Sequence, residues 1–344
     1  MKTIKNTLGI LWILLCLLPF TNLSAQEASV APYQGTIEHL FFHPLIAFPD
    51  MAFSAKGADL EFIDSWFNTA EEFKKILPEL YDRGFILVDI YDAVDPKTME
   101  KKPLYLPSGK KPLILSVDDL NYYPDTVVLG TNRRLFVDKN NQLMTLGYNS
   151  KNKEVISSDL EIVTILESFI SKHPDFSHKG ARGIIALTGF YGYFGWAIHK
   201  PKGANYKTQL TEAKAVADKL KSFGWHFASH SWSHKRPTAI TNEVFFDIET
   251  QWFNLAKTVI GSTDLYIYPF GLTLTKYPER LEFLKKQGFK FFFGVGDSSL
   301  WEKRTGYVYM DRIPVDGRGL RGKFASLAPF FDLKKVIDSQ RKGL

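Results

Sequence analysis

Two adjacent carboxylates, Asp118 and Asp119, follow an apolar segment at 112–117. Side chains of neighbouring residues in an extended strand point to opposite faces of the sheet. Where the strand ends and enters a loop, however, both can turn toward one cavity and form an acidic site. The alternative is an ordinary loop start, because Asp is also common as the cap of a helix.

Two histidines, His230 and His234, come directly after a second apolar segment at 225–229. Histidines at i and i+4 lie on one side of a helical turn, where two ring nitrogens can bind one metal ion. The alternative is a pair of polar surface residues near the start of a helix. Taken alone, this cluster leaves both interpretations open.

A third cluster, Tyr268-Pro269-Phe270-Gly271, follows an apolar segment in the same way. A turn with Pro, an aromatic residue and Gly is an ordinary way to form a loop. It can also fix a backbone N–H beside a reaction centre, as in an oxyanion hole.

The elements that must position these clusters alternate between short apolar strands and amphipathic helices, which is typical of an α/β protein. Strands are predicted at 36–42, 85–90, 112–117, 183–187, 225–229, 265–268, 291–295 and 308–314, and helices at 69–83, 159–172, 211–223, 243–259 and 277–287. We therefore predict a single distorted (β/α) barrel of about seven strands. In such barrels functional residues lie at the carboxyl ends of the strands, where all three clusters fall.

The first residues have the pattern of a secretory signal peptide. Lys2 and Lys5 precede an uncharged apolar run at 8–20, and small residues follow it. The run is short for a membrane span, which needs about 20 apolar residues. We predict cleavage after Ala25, a mature chain of residues 26–344, secretion to the periplasm or the exterior, and no stable membrane insertion. An uncleaved anchor is the alternative.

The predicted mature chain contains no cysteine, since Cys16 lies in the signal segment, so its fold must rest on its core. Loss of the two lysines lowers the formal net charge from +6 to +4. The remaining charges of both signs are mixed, which argues against a nucleic-acid partner. No repeat or linker divides the chain, so one domain is expected.

The order of the three clusters resembles a known family, the polysaccharide deacetylases with NodB homology, or carbohydrate esterase family 4. That family carries T-F-D-D, H-[ST]-x-x-H and R-x-P-[YF]-G, and this chain has SVDD at 116–119, HSWSH at 230–234 and IYPFG at 267–271. The segments "FNTAEEFKKILPELYDRGFILVDI" and "YIYPFG" are similar to the subgroup that deacetylates poly-N-acetylglucosamine. The resemblance extends from about residue 36 to residue 314.

The resemblance implies a hydrolytic metal site and a role for each matching residue. Asp119, His230 and His234 would hold a divalent ion, zinc first, with cobalt or nickel as alternatives. Asp118 would be the general base, and the backbone N–H of Phe270 would stabilise the oxyanion. The substrate would be an N-acetylated amino-sugar polysaccharide or oligosaccharide, from which acetate is released.

Two departures from the family pattern concern the chemistry. The third motif begins with Ile267 where the family has an Arg that orients the base, and Arg312 is a possible replacement. No histidine follows His234, although many members have a late catalytic His that protonates the leaving amine. Three explanations stay open: Asp118 carries the proton in both directions, His43 supplies the acid, or the protein is a degenerate member that binds glycan or metal without turnover.

The stretch between the first two motifs, about 121–210, is longer than is usual in the family and is predicted to be an insertion. It contains a β-hairpin at 135–137 and 142–146 and the aromatic segment "LTGFYGYFGW" at 187–196. Those aromatics either line the cleft or fill the core. Five residues predicted to bind substrate lie in or beside the motifs and are Tyr122, Tyr123, Trp232, Tyr268 and Pro269. The sixth is Arg312, near the end of a late predicted strand.

Three functions follow from these patterns. The first is metal-dependent removal of N-acetyl groups from an extracytoplasmic glycan. The second is a degenerate glycan-binding or structural protein, and the third is an amidase or esterase acting on a small acyl group that is not on a sugar. The sequence does not distinguish the glycan, the metal or the oligomeric state.

Overall fold

The computed structural model of the protein describes residues 30–341. The predicted signal peptide, residues 1–25, lies outside this range and stays a prediction. Within the range, the chain forms one large, mostly parallel sheet, a three-stranded antiparallel sheet and a two-stranded ribbon, with helices between the strands. The α/β fold class is therefore confirmed.

The described strands are short, and most belong to the large sheet. They are Val30–Pro32 (β1), Glu38–Phe42 (β2), Phe85–Leu87 (β3), Tyr105–Pro107 (β4), Lys111–Asp118 (β5), Arg134–Val137 (β6), Leu143–Tyr148 (β7), Glu154–Ser157 (β8), Ile184–Leu187 (β9), His226–Ser229 (β10), Leu265–Ile267 (β11), Phe291–Phe293 (β12), Trp301–Arg304 (β13), Tyr307–Met310 (β14) and Ile313–Pro314 (β15). The order in the large sheet is β13-β14-β12-β11-β10-β9-β5-β2-β15, with β3 beside β5. Its pairings are parallel except for β13 with β14.

The helices vary from single turns to 18 residues. They are Pro49–Ala52 (α1), Gly57–Trp66 (α2), Ala70–Asp82 (α3), Ile90–Ala93 (α4), Pro124–Val128 (α5), Ile162–Lys172 (α6), Tyr206–Phe223 (α7), Asn242–Val259 (α8), Pro278–Lys286 (α9) and Leu333–Val336 (α10). Short 3₁₀ turns occur at Pro174–Phe176, His178–Gly180, Pro269–Gly271 and Ala325–Leu327, and a π turn at Gly319–Lys323. The five predicted helices correspond to α3, α6, α7, α8 and α9. None of the helices between residues 30 and 341 has the length and apolarity that crossing a bilayer requires.

Alternation along the strands separates the interior of the curled sheet from its outer side. In β5, Leu113, Leu115 and Val117 belong to the large core under the helices, whereas Ile114 belongs to a second apolar cluster. That second cluster takes the alternate residues of β9, β11, β12 and β14 and fills the interior of the sheet. The next residues of β5 on that interior side are Ser116 and Asp118, which lie above this apolar floor near the carboxyl end.

One bent strand brings the two edges of the large sheet together. β14 pairs with β12 and β15 pairs with β2, yet only Asp311 and Arg312 separate β14 from β15. The N–H of Gly296 donates to the Arg312 carbonyl (3.0 Å), so the pairing continues into the bend. Seven parallel positions therefore surround the interior, which agrees with the predicted distorted barrel, and Arg312 lies at the seam.

The predicted hairpin is present and carries one more strand than the sequence indicated. β6 and β7 pair as predicted, and β8 adds to β7 in a second antiparallel pairing. Strand β8 (Glu154–Ser157) is short and has no buried residue, since exposed positions alternate with half-buried ones, so no apolar segment indicated it. This small sheet lies between β5 and β9 in the chain, within the predicted insertion.

Candidate active site

The two carboxylates at the end of β5 reach the same cavity by different means. Asp118 is the last strand residue and points inward by alternation. Asp119 would point outward, but its φ of 60° turns the backbone into the left-handed region, and its N–H donates to Ala186 O (3.0 Å) on the neighbouring strand. Asp tolerates this conformation better than most residues. Both side chains therefore line one cavity.

Arg312 holds the Asp118 carboxylate through a bidentate ion pair. Its Nη1 and Nη2 donate to Oδ1 and Oδ2 at 2.7 and 2.9 Å, and Nη1 also donates to Ser116 Oγ (3.0 Å). Both partners are almost completely buried. Burial alone would raise the pKa of Asp118, but the charges of Arg312 and His230 and the arginine hydrogen bonds lower it to about 2. Asp118 is therefore a fixed carboxylate at neutral pH.

The two histidines are brought together by an irregular loop, and the predicted helical turn is wrong. Residues 230–236 have no helical structure, and both Ser231 and His234 have left-handed backbones, with φ of 60° and 50°. These non-glycine conformations cost about 1–3 kcal/mol each and tend to occur at functional sites. The rings nevertheless meet, with centroids 4.8 Å apart.

Hydrogen bonds orient His230 for ligation. Its Nδ1 lies 2.8 Å from the Ile267 carbonyl, which can only accept, so Nδ1 carries the proton and Nε2 is free. Burial lowers the pKa of His230, against the opposing charges of Asp119 and Asp118. The ring is therefore neutral at physiological pH, which is the form that binds metals.

Asp119 is held from the other side by a tyrosine. The Tyr123 hydroxyl donates to Asp119 Oδ1 (2.5 Å) and also contacts Thr188 Oγ1 (2.6 Å). The second oxygen, Oδ2, lies 3.6 Å from His234 Nε2. One oxygen is thus anchored while the other faces the histidines.

Asp119, His230 and His234 could hold a metal ion. One ligand atom from each lies within 4.8 Å of the others, and no other group of three or more such residues was found in residues 30–341. Two imidazole nitrogens and one carboxylate oxygen form a three-residue set that zinc accepts with open positions for water and substrate, and cobalt and nickel also accept nitrogen and oxygen ligands. The orientation of His230 and the anchoring of Asp119 fit this role.

The third motif forms a tight turn at the edge of the cavity. Phe270 has a φ of 59° within the 3₁₀ turn Pro269–Gly271, and its ring packs on that of His234, with centroids 4.5 Å apart. Its backbone N–H has no acceptor among the described residues. The turn therefore presents a free donor beside the histidines, as an oxyanion site requires.

These groups lie in a cavity of about 620 Å³, and aromatic side chains form about a third of its wall. The aromatic lining residues are Phe41, Phe62, Trp66, Phe67, Tyr123, Tyr268 and Phe270. His43 also lines the cavity, and its Nδ1 is buried without a hydrogen-bond partner in the described chain. The sequence did not indicate the contribution of Phe62 and Trp66, because helix α2 was not predicted.

The residues predicted to bind substrate are divided between the cavity and its support. Tyr123 and Tyr268 line the cavity. Arg312 forms part of the same wall, but its guanidinium is engaged by Asp118. The other three, Tyr122, Trp232 and Pro269, are not among the lining residues.

Tyr122 and Trp232 have contacts that explain their positions. The Tyr122 hydroxyl donates to the buried Glu161 (2.9 Å), beneath the site. The Trp232 ring covers Gly189, where a Cβ would lie 2.1 Å from the ring, and its carbonyl accepts from the N–H of Gly189. Both residues therefore support the loops of the site, and their placement does not favour contact with substrate.

The aromatic segment at 187–196 mostly serves the core. Tyr193 and Phe194 are completely buried in the main cluster, and no residue of the segment lines the cavity. Tyr191 is partly exposed, and Trp196 faces a second cavity in the insertion. The segment thus contributes no lining residue, although Phe190 and Tyr191 pack on Tyr123, which does line the cavity.

Glu249 lies behind the histidine loop and couples the stability of this region to pH. Burial raises its pKa to about 7, although hydrogen bonds from Ser231 and Tyr266 oppose the rise. Because folding raises the pKa of this carboxyl group, its contribution to the stability of the folded state is complete below pH 4.5. That contribution is lost as the pH rises through 7. In the wild type, this change should lower the free energy of unfolding by about 3 kcal/mol, since one pKa unit corresponds to about 1.4 kcal/mol. Glu249→Gln should abolish that decrease, because Gln does not titrate.

The measurement is the free energy of unfolding by urea at pH 4.5 and pH 8. The difference between the two pH values should be smaller in Glu249→Gln than in the wild type. The exposed Glu282→Gln serves as the matched control and should change neither value. An unchanged pH difference in Glu249→Gln would contradict the assignment.

No protein-family model and no curated protein matches the chain. Several solved structures do. The Streptococcus pyogenes deacetylase PplD in complex with acetate aligns over 90% of this chain and 100% of its own, at 13% identity and a TM-score of 0.49. The chain is similar in structure to deacetylases.

Two further solved structures are similar in the same way. BC0361, a polysaccharide deacetylase from Bacillus cereus, aligns over 82% of this chain and 66% of its own, at 13% identity and a TM-score of 0.44. IcaB from Ammonifex degensii aligns over 82% and 93%, at 13% identity and a TM-score of 0.44. Identities this low say nothing about chemistry, so the function has to be inferred from the side chains of the cavity.

Proposed function

We propose that the protein is a metal-dependent hydrolase that removes N-acetyl groups from an amino-sugar polysaccharide or oligosaccharide outside the cytoplasm. The observation that carries the proposal is the convergence of Asp119, His230 and His234 in one cavity, beside a separate carboxylate, Asp118, that is fixed by Arg312. A metal-binding protein without catalysis would not need that second, oriented carboxylate. The ion pair of Asp118 with Arg312 therefore also argues against a degenerate, non-catalytic protein.

The residues divide the reaction between them. A divalent metal bound by the three ligands would supply Lewis-acid polarisation of the amide carbonyl and a lowered pKa of water. Asp118 accepts the proton of the attacking water through an oxygen held by Arg312. The Phe270 N–H donates to the carbonyl oxygen as it gains negative charge. Acetate leaves, and the sugar keeps a free amine.

His43 is the residue we propose as the acid that protonates the leaving amine. Asp118 is poorly suited to carry this proton alone, because Arg312 contacts both of its oxygens and the pKa is about 2. His43 lines the same cavity, and its Nδ1 has no other partner in the described chain. Its ring packs between Phe41 and Phe67, with centroids 5.9 and 5.6 Å away.

His43→Ala should therefore discriminate between leaving groups. An amine must be protonated as it leaves, whereas an aryl oxide does not need an acid. We expect kcat for deacetylation of N-acetylglucosamine oligomers to fall by about 10²-fold or more, with little change for an aryl acetate ester. Equal losses on both substrates, or no loss on either, would remove His43 from this role.

His234→Ala tests the metal site without any choice of substrate. The change removes one of three ligand residues, so bound divalent metal should fall from about one equivalent to nearly none, and acetate release should fall with it. The measurement is metal content by mass spectrometry, followed by acetate release from N-acetylglucosamine oligomers. The control is His199→Ala, because His199 lies away from the cavity lining.

Each outcome of this experiment has a definite meaning. Metal that stays bound in His234→Ala would refute the site. Loss of metal in His234→Ala, with no acetate release by the wild-type protein, would support the metal site and refute deacetylation. Release from small acyl esters alone would favour an esterase.

A further inference from the structure

A second cavity lies in the insertion, between β6 and the start of helix α7. Its volume is about 600 Å³, which falls within the range of small-molecule sites. Arg133, directly before β6, and Arg134, its first residue, line it together with Trp196 from the loop between β9 and α7 and with Asn205 and Thr208 from the beginning of α7. The proposed catalytic chemistry uses none of these residues.

The two arginines are adjacent like charges without a local counter-ion. Neither forms an ion pair with a carboxylate anywhere in residues 30–341; the charges of Glu154 and Glu212 act on Arg134 only at longer range. Burial and the charge of Arg133 lower the pKa of Arg134. The fold therefore keeps a partly desolvated cation in an unfavourable environment that a bound anion would relieve.

Arg134 is held in place and still has an unused hydrogen-bond donor. Its guanidinium stacks over the Trp196 ring, 4.6 Å from the centroid, and the Trp196 Nε1 donates to Leu135 O (2.8 Å), which fixes the ring. The buried Nε of Arg134 has no partner in the described chain. A planar guanidinium fixed on an aromatic face is suited to bidentate recognition of phosphate or carboxylate.

The backbone beside the cavity is tightly packed. Gly195 has a φ of 84°, and a Cβ there would lie 2.1 Å from the Arg133 carbonyl oxygen, so the loop packs tightly against β6. The N–H of Leu135 donates to Phe194 O (3.0 Å) across the same contact. These contacts hold the loop of Trp196 against Arg133 and Arg134 at the cavity edge.

The beginning of α7 adds to the positive character of this cavity. This 18-residue helix has no acidic residue in its first turn, and Asn205 at its N-cap makes no side-chain capping bond. The N–H groups of Lys207 and Thr208 have no acceptor in the described chain. Free N–H groups and the helix dipole favour an anion at this end.

We propose that this cavity binds the oxyanion group, phosphate or carboxylate, of an acidic small molecule, through Arg133, Arg134 and the first turn of α7. The volume is several times what a single free phosphate needs, which favours an acidic saccharide over the inorganic ion. The site is independent of the proposed deacetylation, because it shares no residue with the catalytic cavity.

The test is calorimetric titration of the mature chain at low salt with N-acetylglucosamine 6-phosphate, N-acetylglucosamine and inorganic phosphate. We expect the sugar phosphate to bind and the neutral sugar not to bind at this site. Binding should weaken at least tenfold in Arg134→Gln. Tighter binding of the sugar phosphate than of phosphate assigns the site to an acidic saccharide, and equal affinity assigns it to the free ion.

A second variant protects the test against misfolding. Thr208→Glu places a carboxylate in the first turn of α7, where it stabilises the helix and occupies the anion position. It should fold at least as well as the wild type and lose binding. Lys139→Gln removes an exposed charge in the turn between β6 and β7 and should bind normally. Unchanged binding in Thr208→Glu, or no binding of either phosphate by the wild type, would overturn the proposal.

Discussion

Replacing Asp118 with Asn should reduce kcat/KM for acetate release by about 10³-fold and leave the bound metal in place. General bases contribute typically 10²- to 10⁴-fold, and an amide cannot accept the proton. The three residues that could hold the metal are not altered. The variant therefore separates the base from the ligands, which no substitution at Asp119 could do.

The measurement combines metal content with acetate release from N-acetylglucosamine oligomers. Asp125→Asn is the matched control, because it makes the same substitution at an exposed position outside the cavity lining and should be neutral. Turnover near the wild-type rate in Asp118→Asn would show that another group is the base. Loss of metal together with activity would show that Asp118 is itself a ligand.

Stability must be followed in the same variant. Asn leaves the buried guanidinium of Arg312 without its counter-charge, and breaking a buried ion pair costs about 3–5 kcal/mol. Turnover should therefore be measured well below the midpoint of thermal unfolding. A folded, metal-loaded and inactive variant is the expected result.

The sequence could predict which strand ends meet, but not how the side chains turn toward one another there. Parallel strands place their carboxyl ends at one edge, so Asp118, His230 and Phe270 were expected to be close. The left-handed backbones at Asp119 and His234 depend on contacts with neighbouring strands and loops. No periodicity reports such contacts, which is why a helical turn was wrongly predicted for the histidines.

Long-range partners were the least predictable part of the site. Tyr123 was expected to touch substrate, and it does line the cavity, but its hydroxyl is bonded to Asp119 and Thr188. Trp232 was also expected to contact substrate, but its ring instead packs over Gly189. Aromatic residues beside a motif can serve either the ligand or the scaffold, and only packing distinguishes the two.

Arg312 shows how a residue far away in the chain can supply the arginine that the third motif lacks at Ile267. It is separated from Asp118 by 194 positions in the chain, and it reaches the carboxylate because the bend between β14 and β15 closes the sheet at that point. Its only sequence signal was a location near the end of a late strand. The sequence offered Arg312 as a possible replacement for the missing motif arginine, but only the topology shows that it reaches Asp118.

Arg312→Met should lower kcat by 10²-fold or more while KM changes little, because the residue positions Asp118 and does not bind substrate. Without the arginine charge, burial would raise the pKa of Asp118, so activity should fall at a higher pH on acidification than in the wild type. The free energy of unfolding should drop by about 3–5 kcal/mol, since Asp118 is left buried and unpaired. Arg312→Lys should recover part of the stability, but less of kcat, because an ammonium cannot contact both carboxylate oxygens in the same plane.

The control for this series is Arg304→Met, which breaks a partly exposed pair with Glu302 within strand β13. Surface pairs of this kind contribute little, so both stability and kcat should stay near wild-type values. The acid limb of the kcat profile decides between positioning and mere structural support. An Arg312→Met protein that is destabilised but keeps the wild-type acid limb would show that Arg312 supports the fold without holding the base, and Asp118 would then owe its low pKa to other charges in the cavity.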